Sequence, residues 1–407
     1  MTGIFSKKSV YAQNQILELD PLAEKLSRNG KKVVKLNRGD PPKFFPTPKY
    51  IIDAYVKALR SGATYYSRAQ GLPELVEAVV ARYKRYSMDL DKDDVIVTAG
   101  VSEALLFINN ALMNKGDKGL LLAPYYPQYI PRLMIEGGVP LVGNMIMERD
   151  WEVDTDSLSR KLKKMGHGRQ RIKYMMITNP HNPTGKVFER NALEDLVEIA
   201  NDNGILLISD EIYDEIVYNG KKFTSLGQVA GDVPHIILNG SSKNFDSTGF
   251  RIGFMVIPGE DKVSQSLREK FSQYALVRLS LNTPSQFAVA EAMKNKKEHE
   301  KAISQMVSAI SKRVNFAVEK LRENPYITVT QPNGAFYIFP KLDMKSLKFK
   351  GSKDFVTRAL METGVQLTGG YSFGSPDNFR IAALPPVETL EYAIDKVNEF
   401  CIKNAKK

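Results

Sequence analysis

Residues 174–185 have the sequence YMMITNPHNPTG. The first five residues are apolar or β-branched and are typical of a buried strand. The loop that follows contains two Asn-Pro steps within seven residues, and a residue before proline is restricted to extended or turn backbone. This junction therefore predicts a buried strand that ends in a rigid loop of polar side chains.

Five other runs have the same strand-like character and are expected to be buried strands: Val95–Thr98, Gly119–Ala123, Ile205–Ser209, His235–Leu238 and Phe254–Ile257. Amphipathic helix patterns lie between them. One example has apolar residues spaced i, i+3, i+4 and i+7, at Leu193, Leu196, Val197 and Ala200. The alternation predicts an α/β fold, with a three-layer α/β/α large domain around a mostly parallel sheet.

The chain has 407 residues, more than one hydrophobic core usually serves, so a second domain is expected. After Pro284 the pattern changes to a long charged helix (Phe287–Arg322), short strands (Thr328–Thr330 and Gly334–Phe339) and a closing helix (Val387–Ile402). We therefore predict a large domain over residues 49–285 and a small α+β domain over residues 286–407. Residues 1–48 are predicted to form an N-terminal arm that packs with the small domain.

The composition excludes several classes of protein. The 57 Lys and Arg residues exceed the 46 Asp and Glu residues by 11, but the basic residues are spread along the chain without interleaved aromatic residues, so no nucleic-acid partner is expected. No apolar run is long enough for a membrane span, and no signal peptide is expected. Cys401 is the only cysteine, which suits the reducing cytoplasm, and no metal site is predicted.

Polar residues follow the predicted strands, where ligands bind in open α/β sheets. Gly100-Val101-Ser102 follows the first strand and begins a helix pattern, which favours an anion site at free backbone N–H groups. Asp210 directly follows the predicted strand Ile205–Ser209, and a helix cap is the alternative to a functional role for its carboxylate. Lys243 comes shortly after a buried strand, and eight residues later comes Arg251. A buried lysine has a lowered pKa and a nucleophilic amine, as Schiff-base chemistry requires, although a surface loop lysine is the alternative.

Three motifs occur in a characteristic order: NPHNPTG at 179–185, DEIY at 210–213, and SK at 242–243 followed by TGFRIG at 248–253. Together they resemble the class I/II aminotransferases of the fold-type I pyridoxal-phosphate family, from Gly39 to the C-terminus. The resemblance implies a ping-pong transamination with pyridoxal 5′-phosphate as the cofactor. It also implies a homodimer with shared active sites, whose small-molecule substrates are an amino acid and a 2-oxo acid.

The resemblance implies a role for each matching residue around the cofactor ring. Lys243 would hold the cofactor as a Schiff base and move the proton between the substrate α-carbon and the cofactor. Asp210 would pair with the pyridine nitrogen and keep it protonated. Tyr213 and Asn182 would hydrogen-bond the cofactor 3′ oxygen, and Tyr126 would stack on the ring.

The resemblance also implies the phosphate contacts. These are the backbone amides of Val101 and Ser102, the side chains of Ser102 and Ser242, and Arg251. Tyr66 would reach the phosphate of the neighbouring subunit. Many relatives carry Ser or Thr at the position of Gly240, so one phosphate contact is open, with Ser242 expected before Ser241.

Two further matches, together with Asn182, imply the substrate site. Arg380 would clamp the substrate α-carboxylate with its planar guanidinium, and the backbone of Gly39 would lie against the substrate. An ion pair on a strand surface is the alternative role for Arg380.

Three segments place the chain near the alanine aminotransferases of archaea and bacteria, which implies alanine and 2-oxoglutarate as substrates. They are NTPSQF at 282–287, GAFYIFP at 334–340 and LPPVE at 384–388.

Several other functions stay open. They are aspartate, aromatic or broad-specificity aminotransferases, a β-lyase, a decarboxylase-like enzyme and an aminocyclopropane-carboxylate-synthase-like enzyme. The sequence contains neither the glycine-rich motif of a nicotinamide dehydrogenase nor that of a nucleotide hydrolase, so neither activity is expected. A non-catalytic regulator that binds nucleic acid is the remote alternative.

Overall fold

A sheet of eight strands forms the centre of the computed structural model, which describes residues 4–166 and 171–406. Residues 1–3 of the predicted arm and residue 407 of the predicted small domain lie outside this range. The α-helices in chain order are α1 (Asp20–Arg28), α2 (Lys49–Arg60), α3 (Pro73–Tyr83), α4 (Val101–Leu112), α5 (Tyr129–Ile135), α6 (Thr155–Lys164), α7 (Arg190–Asn203), α8 (Lys262–Arg278), α9 (Thr283–Lys294), α10 (Lys296–Arg322), α11 (Ser352–Thr363) and α12 (Val387–Lys403).

The strands in chain order are β1 (Val34–Lys35), β2 (Val95–Thr98), β3 (Lys118–Ala123), β4 (Val139–Ile146), β5 (Glu152–Val153), β6 (Ile172–Thr178), β7 (Leu206–Asp210), β8 (His235–Gly240), β9 (Gly253–Val256), β10 (Ile327–Thr328), β11 (Tyr337–Ile338), β12 (Lys341–Leu342), β13 (Val365–Gln366), β14 (Thr368–Gly369) and β15 (Phe379–Ala382).

The large sheet has the strand order β2-β9-β8-β7-β6-β3-β4-β5. Neighbours from β8 to β4 are parallel, whereas β9 is antiparallel to both β2 and β8, and β5 is antiparallel to β4. All six predicted strands are present within one or two residues of their expected bounds. The strands β4 and β5 were not predicted, because β4 lies near the sheet edge, is only partly buried and contains Pro140 and Gly143.

Helices cover both faces of this sheet. Met175, Ile177 and Leu207 pack on one face in a core with residues of α6 and α7. The alternate residues Met176 and Ile208 pack on the other face in a core with residues of α4 and α8. Successive side chains on a strand point to opposite faces, so these runs are apolar throughout. The predicted three-layer α/β/α fold is confirmed.

The strand directions place the site-bearing loops together. Since β9 is antiparallel to both β2 and β8, β2 has the same direction as the parallel strands β3, β6, β7 and β8. The carboxyl ends of these five strands therefore lie at one edge, and β9 starts there. Residues 99–102, 124–126, 179–185, 211–213 and 241–252 all extend from this edge.

The C-terminal part has its own core, in which α10, α11 and α12 pack with the short strands β10 to β15. Strand β1 of the N-terminal arm pairs in parallel with β13. The long helix expected over Phe287–Arg322 is instead two helices, because Asn295 interrupts it and caps α10 through Glu298 N. Since α9 contributes to cores with α2 and α3, we propose that the domain boundary lies near Asn295 rather than at residue 285.

A buried ion cluster joins helix α3 to the segments that follow β7 and β8. The Arg82 guanidinium, 4% exposed, lies 2.9 Å from an Asp214 oxygen and also contacts Glu215. Asp214 accepts further hydrogen bonds from the Tyr86 hydroxyl at 2.7 Å and from the Asn244 amide. The cluster therefore fixes the backbone next to Tyr213 and Lys243.

Removing the cation of Arg82 leaves the buried Asp214 carboxylate with the neutral partners Tyr86 and Asn244, whereas Glu215 keeps Arg85 and His299. We predict that Arg82→Met lowers the free energy of unfolding by about 3–5 kcal/mol, measured by urea denaturation. Lys92→Gln, which breaks the exposed Lys92–Glu77 pair, is the matched control and should leave stability nearly unchanged. Equal effects of the two substitutions would show that the cluster contributes no more than a surface pair.

Candidate active site

A cavity of about 330 Å³ opens at the carboxyl edge of the large sheet. Its wall contains most of the predicted site residues: Gly39, Val101, Ser102, Tyr126, Asn182, Asp210, Tyr213, Ser242, Lys243, Arg251 and Arg380. Tyr66 is not part of this wall, and its side chain is 82% exposed. The structure thus brings together residues that are up to about 340 positions apart, with Tyr66 as the exception.

Lys243 extends into the cavity from the segment after β8. Its Nζ donates a hydrogen bond of 2.6 Å to the carbonyl of Gly39, and it forms no ion pair with a carboxylate within residues 4–166 and 171–406. Burial lowers the pKa of Lys243 to about 8, and the cations Arg251 and Arg380 act in the same direction, although Asp40 and Asp210 oppose them. A lowered pKa makes the free, nucleophilic amine accessible near neutral pH.

Asp210 is the last residue of β7 and is buried. Its carboxylate accepts hydrogen bonds from the Tyr129 hydroxyl at 2.8 Å and from Ile212 N at 3.3 Å. Burial raises the pKa of Asp210 to about 6 in spite of these hydrogen bonds. A cation placed beside this carboxylate would favour its ionised form.

Tyr129 was missed by sequence reasoning, together with its neighbour Thr178. The two hydroxyls lie 2.8 Å apart, so Thr178 fixes the phenol that holds Asp210. The ring of Tyr126, three residues earlier and before α5 begins, packs edge-on against Tyr129 with the ring centroids 5.4 Å apart. Their places in the sequence could have suggested both residues. Thr178 is the last residue of a strand that ends at the site, and Tyr129 comes three residues after the predicted Tyr126.

Tyr213 lies beside Asp210 in the cavity wall and packs edge-on against Phe336. Its hydroxyl is 3.1 Å from the Tyr337 hydroxyl. Burial raises the pKa of Tyr213 far above its ordinary value, so the phenol keeps its proton. Gly39 packs against the same aromatic group, and a Cβ there would overlap the Tyr337 hydroxyl and lie 2.8 Å from Phe336. The close approach requires glycine at this position.

Arg380 lies on β15 and is 1% exposed. Its Nη2 donates to the carbonyl of Asn37 at 2.6 Å, and its Nη1 donates to Asn182 Oδ1 at 2.9 Å. The guanidinium lies over the rings of Tyr337 and Phe373, with centroids at 4.4 and 5.0 Å. Among the residues that the structure describes, no carboxylate pairs with it, so a buried cation faces the cavity with only neutral partners.

Arg251 is another cation of the cavity wall. It lies in the segment before β9, next to the loop between β2 and α4. Its side chain donates to the carbonyls of Thr248 at 3.1 Å and Ala99 at 3.2 Å. Gly100 has φ of +71°, and a Cβ there would lie 2.5 Å from Arg251 Nη2. Gly100 precedes the first turn of α4, whose backbone N–H groups have no intrahelical acceptors. Backbone N–H groups at a helix start can bind an anion.

The two serines before Lys243 have different surroundings. Ser242 lines the cavity, whereas the Ser241 hydroxyl is buried and donates to the carbonyl of Ile252 at 3.3 Å. At Gly240 a Cβ would lie 2.7 Å from that same carbonyl. The close pairing of β8 and β9 thus accounts for glycine at position 240 and leaves Ser242 facing the cavity.

The N-terminal arm supplies another part of the wall that no motif indicated. Asn14, Ile16, Leu17 and Arg38 line the cavity, and the Asn37 amide donates to the carbonyl of Ile16 at 3.0 Å. Irregular segments of this kind have no periodicity, so the sequence alone gave no signal for their position.

No helix within residues 4–166 and 171–406 is long and apolar enough to cross a membrane. The same residues contain no group of three or more His, Cys, Asp or Glu side chains that could hold a metal ion. The expectation of a cytoplasmic protein without a nucleic-acid partner stays a prediction.

Comparison with known proteins identifies the relatives of this chain. Residues 31–397 match the family model for aminotransferase class I and II. The solved structure of an alanine aminotransferase from Pyrococcus furiosus is 37% identical, with a TM-score of 0.92 over 98% of this chain and 100% of that one. The glutamate-pyruvate aminotransferase AlaA of Escherichia coli is 32% identical over 93% of this chain and 92% of its own length.

An aspartate aminotransferase from Geobacillus stearothermophilus is also similar, at 30% identity over 94% of this chain and 95% of its own length. The match of the family model covers most of the chain and includes every residue of the predicted site. The chain therefore belongs to the aminotransferase class I and II family, and it is an aminotransferase that uses pyridoxal phosphate.

Proposed function

We propose that this aminotransferase transfers the amino group of alanine to 2-oxoglutarate, with the cofactor held by Lys243. The observation that carries the proposal is the set of uncompensated charges in one cavity: a buried arginine without a carboxylate partner, a lysine of lowered pKa and a buried aspartate. The preference for alanine is supported by two relatives named for alanine or glutamate-pyruvate transfer. Similar aspartate aminotransferases make aspartate the main alternative donor.

The cavity residues fit pyridoxal phosphate at both of its charged ends. Arg251, Ser242 and the first turn of α4 offer a guanidinium, a hydroxyl and backbone N–H groups to the phosphate. Asp210 offers a buried carboxylate that a protonated ring nitrogen would keep ionised. Tyr126 offers an aromatic ring in the same cavity wall.

When bound, this cofactor supplies an aldehyde for the amino group and a ring that accepts electrons from the substrate α-carbon. Lys243 Nζ would hold the cofactor and would then move the proton from the α-carbon, for which a pKa near 8 is well suited. Asp210 would keep the ring nitrogen protonated. Tyr213 and Asn182 would donate hydrogen bonds to the 3′ oxygen, and the raised pKa of Tyr213 keeps its proton available.

Arg380 binds the substrate α-carboxylate. Its planar guanidinium matches a carboxylate in a bidentate geometry, and its present partners, a carbonyl and an amide oxygen, leave its positive charge unneutralised. The Gly39 backbone lies next to this position through its contact with Lys243. The substrate is therefore oriented between Arg380 and Lys243.

The test is an assay of the purified, cofactor-loaded enzyme with a panel of amino donors and oxo-acid acceptors. We expect alanine and 2-oxoglutarate to give pyruvate and glutamate with the highest kcat/KM, and we expect no ammonia. Lys243→Ala serves as the background control and should lose the visible absorbance of the bound cofactor and nearly all activity. A higher kcat/KM for aspartate would overturn the alanine assignment, and release of ammonia from alanine analogues would favour the β-lyase.

We also propose a homodimer with shared active sites. Tyr65 and Tyr66 are exposed, and a hydrogen bond of 2.7 Å from Thr283 to the Tyr65 carbonyl joins this segment to the start of α9, shortly after the end of α8. Leu276, Val277 and Leu279 near that end are exposed as well. An apolar surface of this kind supports a subunit interface. Tyr66 would then reach the phosphate in the partner subunit, since it does not line the cavity of its own.

Mixed dimers test this arrangement. One subunit carries Lys243→Ala and the other carries Tyr66→Ala, and two affinity tags isolate the heterodimer. If Tyr66 acts across the interface, one of the two sites is intact and the heterodimer should have about half of the wild-type activity. If Tyr66 acts within its own subunit, or not at all, activity will not exceed the mean of the two mutant homodimers.

A further inference from the structure

We propose that Arg38 binds the second carboxylate of the dicarboxylic substrate, and that it exchanges between this carboxylate and Asp20. The proposal rests on the proposed function, in which one cavity must accept both a dicarboxylic pair (glutamate and 2-oxoglutarate) and a monocarboxylic pair (alanine and pyruvate). It assigns a specificity-determining role to a residue outside the cofactor site.

The backbone on each side of Arg38 is hydrogen-bonded to a residue of the proposed site, Arg380 or Lys243. The carbonyl of the preceding residue, Asn37, accepts from Arg380 Nη2 at 2.6 Å. The carbonyl of the following residue, Gly39, accepts from Lys243 Nζ at 2.6 Å. The side chain of Arg38 lines the same cavity. It therefore extends from the backbone that bridges the α-carboxylate clamp and the reactive lysine.

The charges of the cavity wall leave Arg38 as the available cation. The basic residues of this wall are Arg38, Lys243, Arg251 and Arg380. Lys243 holds the cofactor, Arg251 faces the phosphate, and Arg380 takes the α-carboxylate. A second carboxylate on the substrate needs a further cation, because a carboxylate transferred from water without a partner is strongly disfavoured.

The present partner of Arg38 is Asp20, at the start of helix α1. Asp20 also accepts hydrogen bonds from Gln366 at 2.7 Å and Asn37 at 3.3 Å. Burial disfavours the ionised form, but the hydrogen bonds from Arg38, Gln366 and Asn37 outweigh it and hold the pKa of Asp20 below its usual range. Asp20 therefore keeps two donors when Arg38 turns away.

Arg38 itself is free enough to move, because its side chain is 42% exposed. With alanine or pyruvate bound, it stays with Asp20, and no unpaired charge faces the substrate methyl group. With glutamate or 2-oxoglutarate bound, it turns to the second carboxylate. The apolar side chains of Ile16 and Leu17, in the same wall, suit the hydrocarbon part of either substrate.

The experiment compares Arg38→Gln with wild type in the cofactor-loaded enzyme, one half-reaction at a time. We expect the KM of glutamate and of 2-oxoglutarate to rise about tenfold or more, and the KM of alanine and of pyruvate to change less than about twofold. Arg28→Gln, on the exposed end of α1 where Arg28 pairs with Glu24, is the matched control and should change neither. Arg38→Lys should recover part of the loss, since it restores the charge without the planar fork.

A binding measurement separates this role from turnover. Glutarate and propionate carry two and one carboxylates and have no reactive group, and calorimetry gives their Kd. Arg38→Gln should weaken glutarate about tenfold and leave propionate unchanged. Equal loss for both ligands would overturn the proposal in favour of a latch between Arg38 and Asp20 that only holds the arm. An unchanged Kd for glutarate would also overturn it.

The two proposals fail in distinguishable ways. If wild type does not use alanine with 2-oxoglutarate, the proposed function fails, whereas the glutarate and propionate comparison still decides the role of Arg38. If wild type uses both substrates, but Arg38→Gln affects dicarboxylic and monocarboxylic ligands equally, only the inference about Arg38 fails.

Discussion

The structure depends on one costly arrangement, in which the buried Asp210 and Arg380 and the partly buried Lys243 surround a common cavity without direct ion pairs among them. Unpaired buried charges destabilise a fold, so such groups need hydrogen bonds, shifted pKa values or a ligand. Here Asp210 has Tyr129, Lys243 has the Gly39 carbonyl, and Arg380 has Asn37 and Asn182. These neutral partners hold the charges in place and leave them able to attract a charged cofactor and substrate.

The parallel sheet makes this arrangement possible. Five strands end at the same edge, so short loops bring residues from distant parts of the sequence to one cavity. The ion cluster of Arg82, Asp214 and Glu215 stabilises the loops after β7 and β8 from behind. The N-terminal arm closes the other side and is attached to the C-terminal core through β1 and β13. A displacement of the arm, or of the loops that the ion cluster stabilises, would separate the Gly39 carbonyl from Lys243 or the Asn37 carbonyl from Arg380.

The sequence predicted the central strands and most of the site because their signals are local. Apolar runs such as Tyr174–Thr178 are buried on both faces, and the motifs at their ends have fixed spacing. Strand β4 was missed because it lies near the sheet edge and mixes buried and exposed residues. Tyr129 and the wall residues Ile16 and Leu17 were missed because a tertiary contact, rather than a motif, brings them to the cavity. Arg38 stands next to the predicted Gly39, but sequence gives no direction for its side chain.

The central claim is that this cavity holds pyridoxal phosphate on Lys243. Borohydride reduction of the cofactor-loaded enzyme fixes the cofactor on the lysine that carries it, and peptide mass spectrometry then locates the added mass. We expect a single modified peptide, containing Lys243, and its loss when alanine is added before reduction. Modification of another lysine, or none at all in a protein that shows bound cofactor by its absorbance, would show that Lys243 does not hold the cofactor.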